Sequence, residues 1–163
     1  MSLVVAKFDR YDLINNPGLD TASFTIWFSG CDMHCDDCQN EVLWDKRRGT
    51  NYSVDDVVNL ILCSSKRLNT KYVVLLGGEP LQQDRQELLS LCTALKSNGL
   101  KIWLYTGYEF CHIPNSILDN IHIVKCGRYI KELNSGGFPA SSNQRVLIKS
   151  QDNTWDDVTN NYK

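Results

Sequence analysis

Apolar residues in this chain come in short runs that end at glycine turns, and the runs alternate between two periods. Ser23-Phe24-Thr25-Ile26-Trp27-Phe28-Ser29 and Tyr72-Val73-Val74-Leu75-Leu76 are nearly continuous and rich in β-branched and aromatic side chains. Such runs predict strands buried on both faces of a sheet. Lys101-Ile102-Trp103-Leu104-Tyr105, Ile121-His122-Ile123-Val124 and Gln144-Arg145-Val146-Leu147-Ile148 predict three more. Between these runs the spacing becomes helical. Val54, Val57, Val58, Ile61 and Leu62 share one face of a helix over 54–67. Ser53-Val54-Asp55-Asp56 opens it as a capping box, with Asp56 in the usual Glu position. Leu88, Leu91, Cys92 and Leu95 share a face over 84–97, and Asn98-Gly99 closes that helix as a left-handed cap. A shorter helix is expected near 114–119 with Pro114 at its start. Val42-Leu43-Trp44 reads as a helical turn leading to a break at Gly49.

Strands alternating with helices predict an α/β fold: an open, partial (β/α) barrel of five or six strands, mostly parallel, with right-handed crossovers. Ligands of such sheets sit beyond the carboxyl ends of the strands. The exits Gly30, Gly77-Gly78 and Thr106-Gly107 all fall on that rim. The 163 residues suit one domain, 1–163, with its core over about 12–149 and a polar, peripheral tail after Ser150. Asn134-Ser135-Gly136-Gly137 marks a long polar loop before the last strand.

Composition narrows the class. A net charge of −2 argues against broad electrostatic attraction to nucleic acid or anionic membrane, and Lys46-Arg47-Arg48 reads as a solvated turn. There is no apolar run of the length a membrane helix needs, and the N-terminus lacks the pattern of a signal peptide. Seven cysteines, three of them closely spaced, suit ligation better than a disulfide framework and point to a cytoplasmic, reducing setting.

The candidate chemistry starts from that triplet. Cys31, Cys35 and Cys38 are separated by three residues and then two, on the loop that leaves the 23–29 strand. Iron–sulfur clusters usually take four thiolates. Three would leave one iron open to water or substrate. A zinc knuckle completed by His34 competes with this reading, although neighbours such as His34 and Cys35 rarely both reach one small tetrahedral ion. The second element is Gly77-Gly78-Glu79-Pro80, where a backbone can approach a ligand closely and a carboxylate can receive an ammonium group.

Together these two motifs resemble those of the radical S-adenosylmethionine enzymes. A wider set resembles one branch of them, the activases of anaerobic ribonucleoside-triphosphate reductase. It comprises Asn16-Pro17-Gly18, Phe28-Ser29-Gly30-Cys31, Cys38-Gln39-Asn40, Trp44, Gly77-Gly78-Glu79-Pro80-Leu81, Trp103-Leu104-Tyr105-Thr106-Gly107-Tyr108, Gly127-Arg128-Tyr129 and Ser141-Ser142-Asn143-Gln144.

The resemblance implies that Cys31, Cys35 and Cys38 hold a [4Fe-4S] cluster whose fourth iron is chelated by S-adenosyl-L-methionine. It implies that Gly77, Gly78 and Glu79 hold the methionyl amine, that the backbone around Asp37 and Gln39 flanks the adenosyl group, and that Thr106 is a further contact. It implies one-electron cleavage to methionine and a 5′-deoxyadenosyl radical, which abstracts hydrogen from a glycine of anaerobic ribonucleotide reductase. No protein side chain is then expected to act as general base. A low-potential electron donor such as flavodoxin or ferredoxin is the implied second partner.

The chain departs from the family pattern in four places. Asp20 stands where an Arg is usual after the Pro-Gly turn, Asp37 where a Gly precedes the third cysteine, Gln39 where an aromatic follows it, and Cys126 where an Asp precedes Gly127. Competing readings are the same radical step on another glycyl-radical enzyme or a small molecule such as a deazapurine precursor, and a cluster protein that only carries electrons. Cys63 and Cys92 read as packing residues, as do Trp27 and Trp103. Cys126, at a strand end on the active rim, is a minor candidate for partner or radical contact. Cys111, His112, His122 and Ser142-Asn143-Gln144 receive no chemical role.

Overall fold

The computed structural model describes residues 1–162. Eight strands form one open sheet: β1 (Leu3–Asp12), β2 (Ser23–Phe28), β3 (Thr50–Tyr52), β4 (Tyr72–Gly77), β5 (Lys101–Tyr105), β6 (Ile123–Cys126), β7 (Arg145–Lys149) and β8 (Trp155–Asp157). Their spatial order is β3-β1-β2-β4-β5-β6-β7-β8. The β2-β4-β5-β6 centre is parallel, and the β1 and β7 pairings are antiparallel. Only β1 and β7 therefore run against the other strands, so the sheet is the mostly parallel, open α/β sheet expected.

The helices are α1 (Val54–Leu68), α2 (Arg85–Ser97) and the single turn α3 (Asn115–Leu118). Ser53 caps α1 by accepting from the Asp56 amide, and Asn69 ends it in the left-handed conformation. Asp84 caps α2 by accepting from the amides of Gln86 and Glu87. Both lie within a residue or two of the expected spans. Pro114 occupies the cap position of α3 rather than its first turn.

Strand alternation sorts the core into two faces. Phe24, Ile26, Val73, Leu75, Ile102, Leu104, Val124 and Cys126 pack beneath the helices with Val57, Ile61, Leu88, Leu91 and Leu95. Val74, Leu76, Trp103, Ile123 and Val146 face the other way, where Leu19, Phe138 and Tyr162 cover them. Burial on both faces explains the nearly continuous apolar runs.

Three strands were not anticipated. β1 carries Lys7, Asp9 and Arg10 and is broken by register shifts near Val5 and Asp9, so its alternation is blurred. β3 and β8 are three residues each, too short for any period to register. The strand expected at 121–124 begins at Ile123, because the Ile121 amide still closes α3 on Leu118. That shift puts Lys125 and Cys126 inside β6. The tail is not peripheral. Thr159 accepts from the Val146 amide at 2.9 Å, and Tyr162 packs edge-on to Phe138 and against Gly18, covering part of the sheet face that has no helices.

Candidate functional site

A cavity of about 640 Å³ opens on the face without helices, at the carboxyl ends of the parallel strands. Its wall includes Cys31, Cys35, Cys38, Asp37, Gln39, Gly77, Gly78, Glu79 and Thr106, so every site residue expected from sequence reaches one space.

The cysteine loop is built from backbone pairing. The amide of Gly30 donates to Leu43 at 2.7 Å and that of Cys31 to Trp44 at 3.2 Å, which joins the loop to the short turn Glu41–Leu43. His34 and Asp37 both take positive φ, at 46° and 56°, so the chain winds tightly between the cysteines. A left-handed residue at 37 is the physical reason a glycine suits that position; aspartate tolerates it better than most side chains. Asp37 also pairs with Lys131 at 2.8 Å. His34 packs at a tilt of 51° against Trp44, with ring centroids 4.5 Å apart, and borders a second cavity. Among the described residues no three His, Cys, Asp or Glu side chains converge as the ligands of a single metal ion do.

The Cys31 thiol nonetheless feels the other two. Burial first, then the Glu79 carboxylate and the Cys35 and Cys38 thiols, push the Cys31 thiol up, against a lowering bond from the Met33 backbone. Ionised together they would repel, so the set suits a shared cationic group that takes each sulfur at a different metal atom. An iron–sulfur cube is such a group, and Cys63, Cys92, Cys111 and Cys126 are all absent from the wall. The donor chemistry fits a three-cysteine cluster.

Gly77 and Gly78 are required for a reason that sequence did not give. A Cβ on Gly78 would stand 2.5 Å from the Gly30 carbonyl oxygen, and one on Gly77 2.5 Å from the Phe28 nitrogen. The two strand exits are in backbone contact: the Gly78 amide donates to Phe28 at 2.8 Å and the Glu79 amide to Gly30 at 2.9 Å. The glycines let the two motifs meet.

Glu79 is buried, at 2% exposure. Its carboxylate accepts from the Thr106 hydroxyl at 2.8 Å, the Gly107 amide at 2.8 Å and the Leu81 amide at 3.0 Å. Burial pushes its pKa up, while these three bonds and the charge of Lys125 oppose the shift. One acceptor direction of roughly four remains for a ligand. Glu79 thus braces the β4 exit against the β5 exit as well as bordering the cavity.

Lys125 is the residue that sequence reasoning missed. Its ammonium is the only cationic side chain on the cavity wall among the described residues, 5.8 Å from the Tyr105 ring centroid. Burial draws its pKa down to about 8, and the charges of Cys126, Glu79 and Cys35 oppose that shift. The strand shift at β6 hid it, since a β6 ending at Val124 leaves Lys125 in a loop. Cys126 alternates to the helix-covered face and is fully buried there, with its thiol pushed up to about 11, chiefly by burial. It does not border the cavity, so the minor contact role considered for it falls. Trp27, expected in the core, is half-buried and lines the cavity, its ring N–H donating to Asp9 at 2.7 Å.

Ser141–Gln144 acquires a role. Gln144 donates to the Gly127 carbonyl and Asn143 to the Arg128 carbonyl, both at 2.8 Å. Arg128 in turn donates to the Met33 carbonyl at 2.6 Å. The segment therefore holds the β6 exit, which holds the cysteine loop.

A family model described as a 4Fe-4S single cluster domain matches residues 14–147. The anaerobic ribonucleoside-triphosphate reductase-activating protein of Enterobacteria phage T4 is 29% identical over 159 residues, covering 91% of this chain and 97% of the relative. The protein of the same description from Vibrio cholerae is 28% identical, covering 83% and 91%. The 7-carboxy-7-deazaguanine synthase of Synechocystis is 33% identical over 84 residues, 52% of this chain and 37% of that one. The crystal structure of QueE from Escherichia coli superposes with a TM-score of 0.56 at 16% identity, covering 77% of this chain and 71% of that chain, a likeness of fold.

Proposed function

The chain belongs to the 4Fe-4S single cluster domain family, and from that premise we propose that it is a radical S-adenosylmethionine activase that installs the glycyl radical of anaerobic ribonucleotide reductase. The observation that carries the reading is the shared cavity, in which three cysteines and the Gly77–Glu79 exit face one space of about 640 Å³. Coverage supports the protein substrate over a small molecule: the chain spans 97% of the phage activating protein but 37% of the deazaguanine synthase.

Cys31, Cys35 and Cys38 would hold three irons of a [4Fe-4S] cluster, and S-adenosyl-L-methionine would complete the fourth. When both are bound, the chemistry supplied is one-electron cleavage of the sulfonium, which leaves methionine and a carbon radical that takes a hydrogen atom from glycine. The protein positions these groups and excludes water. Gly77, Gly78 and the free acceptor direction of Glu79 would hold the methionyl amine through its N–H groups. Lys125 offers its ammonium to the carboxylate of the same ligand. Asp37, Gln39 and Thr106 border the remainder of the cofactor, Thr106 chiefly by fixing Glu79. The electron comes from a low-potential donor such as flavodoxin or ferredoxin. Among the described residues no helix is long and apolar enough to cross a membrane, and the seven free thiols fit a reducing cytoplasm.

The test is anaerobic reconstitution with iron and sulfide, followed by dithionite and S-adenosylmethionine. About four irons per chain and release of 5′-deoxyadenosine are expected, both lost in Cys35→Ala. Adding the reductase should give a glycyl signal in electron paramagnetic resonance. A zinc-loaded protein with no cluster absorption would overturn the assignment.

A further inference from the structure

Most of the large apolar side chains left in solvent lie on two chain segments that border this cavity. Among the described residues eight are exposed, and five of them lie on two segments that frame it: Tyr11, Leu13 and Ile14 at 60% or more, and Ile130 and Leu133 at 36% and 40%. Ile14, 84% exposed, borders the cavity on one side. Tyr129, Asn134, Gly136 and Gly137 border it from the other segment.

Neither lip is loose. Asp12 accepts from the amides of Ile14 and Asn15 at 2.7 and 3.1 Å, from the Asn15 side chain at 2.6 Å and from Thr25 at 2.6 Å, which knots the first lip to β2. The second is tied to the cysteine loop by Arg128 on Met33 and Lys131 on Asp37, and to its own return by the Asn134–Ser141 bridge. Apolar groups held rigidly in water are preorganised for a partner rather than for the fold. Beside Gly136 and Gly137, which border the cavity, the space is open: a Cβ on either would meet nothing within 4 Å. Gly137 has no left-handed φ, so neither packing nor backbone conformation demands a glycine there.

We propose that these lips seat the protein substrate, with an extended glycine-centred segment of the reductase passing beside Gly136-Gly137 and its apolar flanking residues covering Leu13, Ile14, Ile130 and Leu133. The assignment rests on the activase reading. A glycine offers no side chain to recognise, so the energy that positions its Cα must come from contacts remote from the reacting atom. A small polar substrate would instead be held inside the cavity and leave the lips in solvent.

The experiment uses reconstituted holoprotein and the Leu13→Ser and Leu133→Ser variants, singly and combined; neither leucine borders the cavity. Uncoupled release of 5′-deoxyadenosine should be unchanged. The reductase concentration that half-saturates glycyl-radical formation should rise about tenfold or more per site, the scale of one buried leucine. Wild-type dependence on reductase in the double variant overturns the docking surface while the activase reading stands. Loss of uncoupled cleavage also overturns it, since the lips would then belong to the cofactor site. A wild-type protein that cleaves S-adenosylmethionine yet never marks the reductase sinks the activase reading itself, and the docking surface with it.

Discussion

Arg128 and Met33 are 95 residues apart in sequence, and the guanidinium of one donates to the carbonyl of the other at 2.6 Å. The bond joins the β6 exit to the middle of the Cys31–Cys35 segment, so the loop that would hold the cluster is gripped from both edges of the cavity.

Arg128→Ala should loosen that loop without unfolding the chain. Arg128 is exposed, so solvent screens the bond, and its loss is worth about 1 kcal/mol locally. Iron should be lost to a chelator several-fold faster while the melting temperature of the apoprotein scarcely moves. An unchanged chelation rate would show that the tether does not steady the cluster.

Gly78→Ala should be far more damaging, because its Cβ would meet the Gly30 backbone and not a side chain that can swing away. Overpacking of this kind is worth about 1–3 kcal/mol, and here it also separates the two motifs. Thermal melting should fall by several degrees. Gly137→Ala, which meets nothing, is the control and should melt as wild type.

Asp12 makes the stability depend on acid. Burial alone would raise its pKa, but the bonds from Asn15, Thr25 and the Ile14 and Asn15 amides outweigh burial and lower it. A lowered carboxylate stabilises the fold above its unfolded value of about 3.9 and ceases to do so as pH falls through the folded value. Urea melts of wild type and Asp12→Asn should differ by a constant amount near neutral pH and converge below about pH 4. A difference that stays constant through pH 3 would remove Asp12 from this role.

Lys125 predicts a basic limb for cofactor binding. With its pKa drawn down to about 8, the free protein loses this charge as pH rises through that value. Affinity for S-adenosylmethionine, followed by calorimetry on the cluster-loaded protein, should weaken above it. Lys125→Met should bind more weakly below that value, approach the wild type above it and lose the slope. Parallel curves for the two proteins would assign the slope to another group.

Thiol chemistry separates the remaining cysteines. Cys63 and Cys111 are exposed, whereas Cys92 and Cys126 are buried with their thiols pushed up to about 12 and about 11, chiefly by burial. Maleimide should label the first pair in native protein and reach the second pair only after denaturation. Mass spectrometry of the labelled peptides reads this directly.

The sequence alone determined what short-range physics can write. Continuous apolar runs marked β2, β4 and β5, helical spacing with caps marked α1 and α2, and the cysteine spacing marked the cluster loop. Each is a property of neighbours along the chain. Glycine at 78 was visible, but its reason was not, because the atom it avoids belongs to Gly30, forty-eight residues earlier. The braced Glu79–Thr106 pair, the inward turn of Lys125, the outward turn of Cys126 and the role of Ser141–Gln144 depend on which strand lies beside which and on a two-residue shift in where β6 begins. Strand alternation assigns a face only once the register is known, and register is settled by pairing between distant segments. Tertiary structure alone decided those.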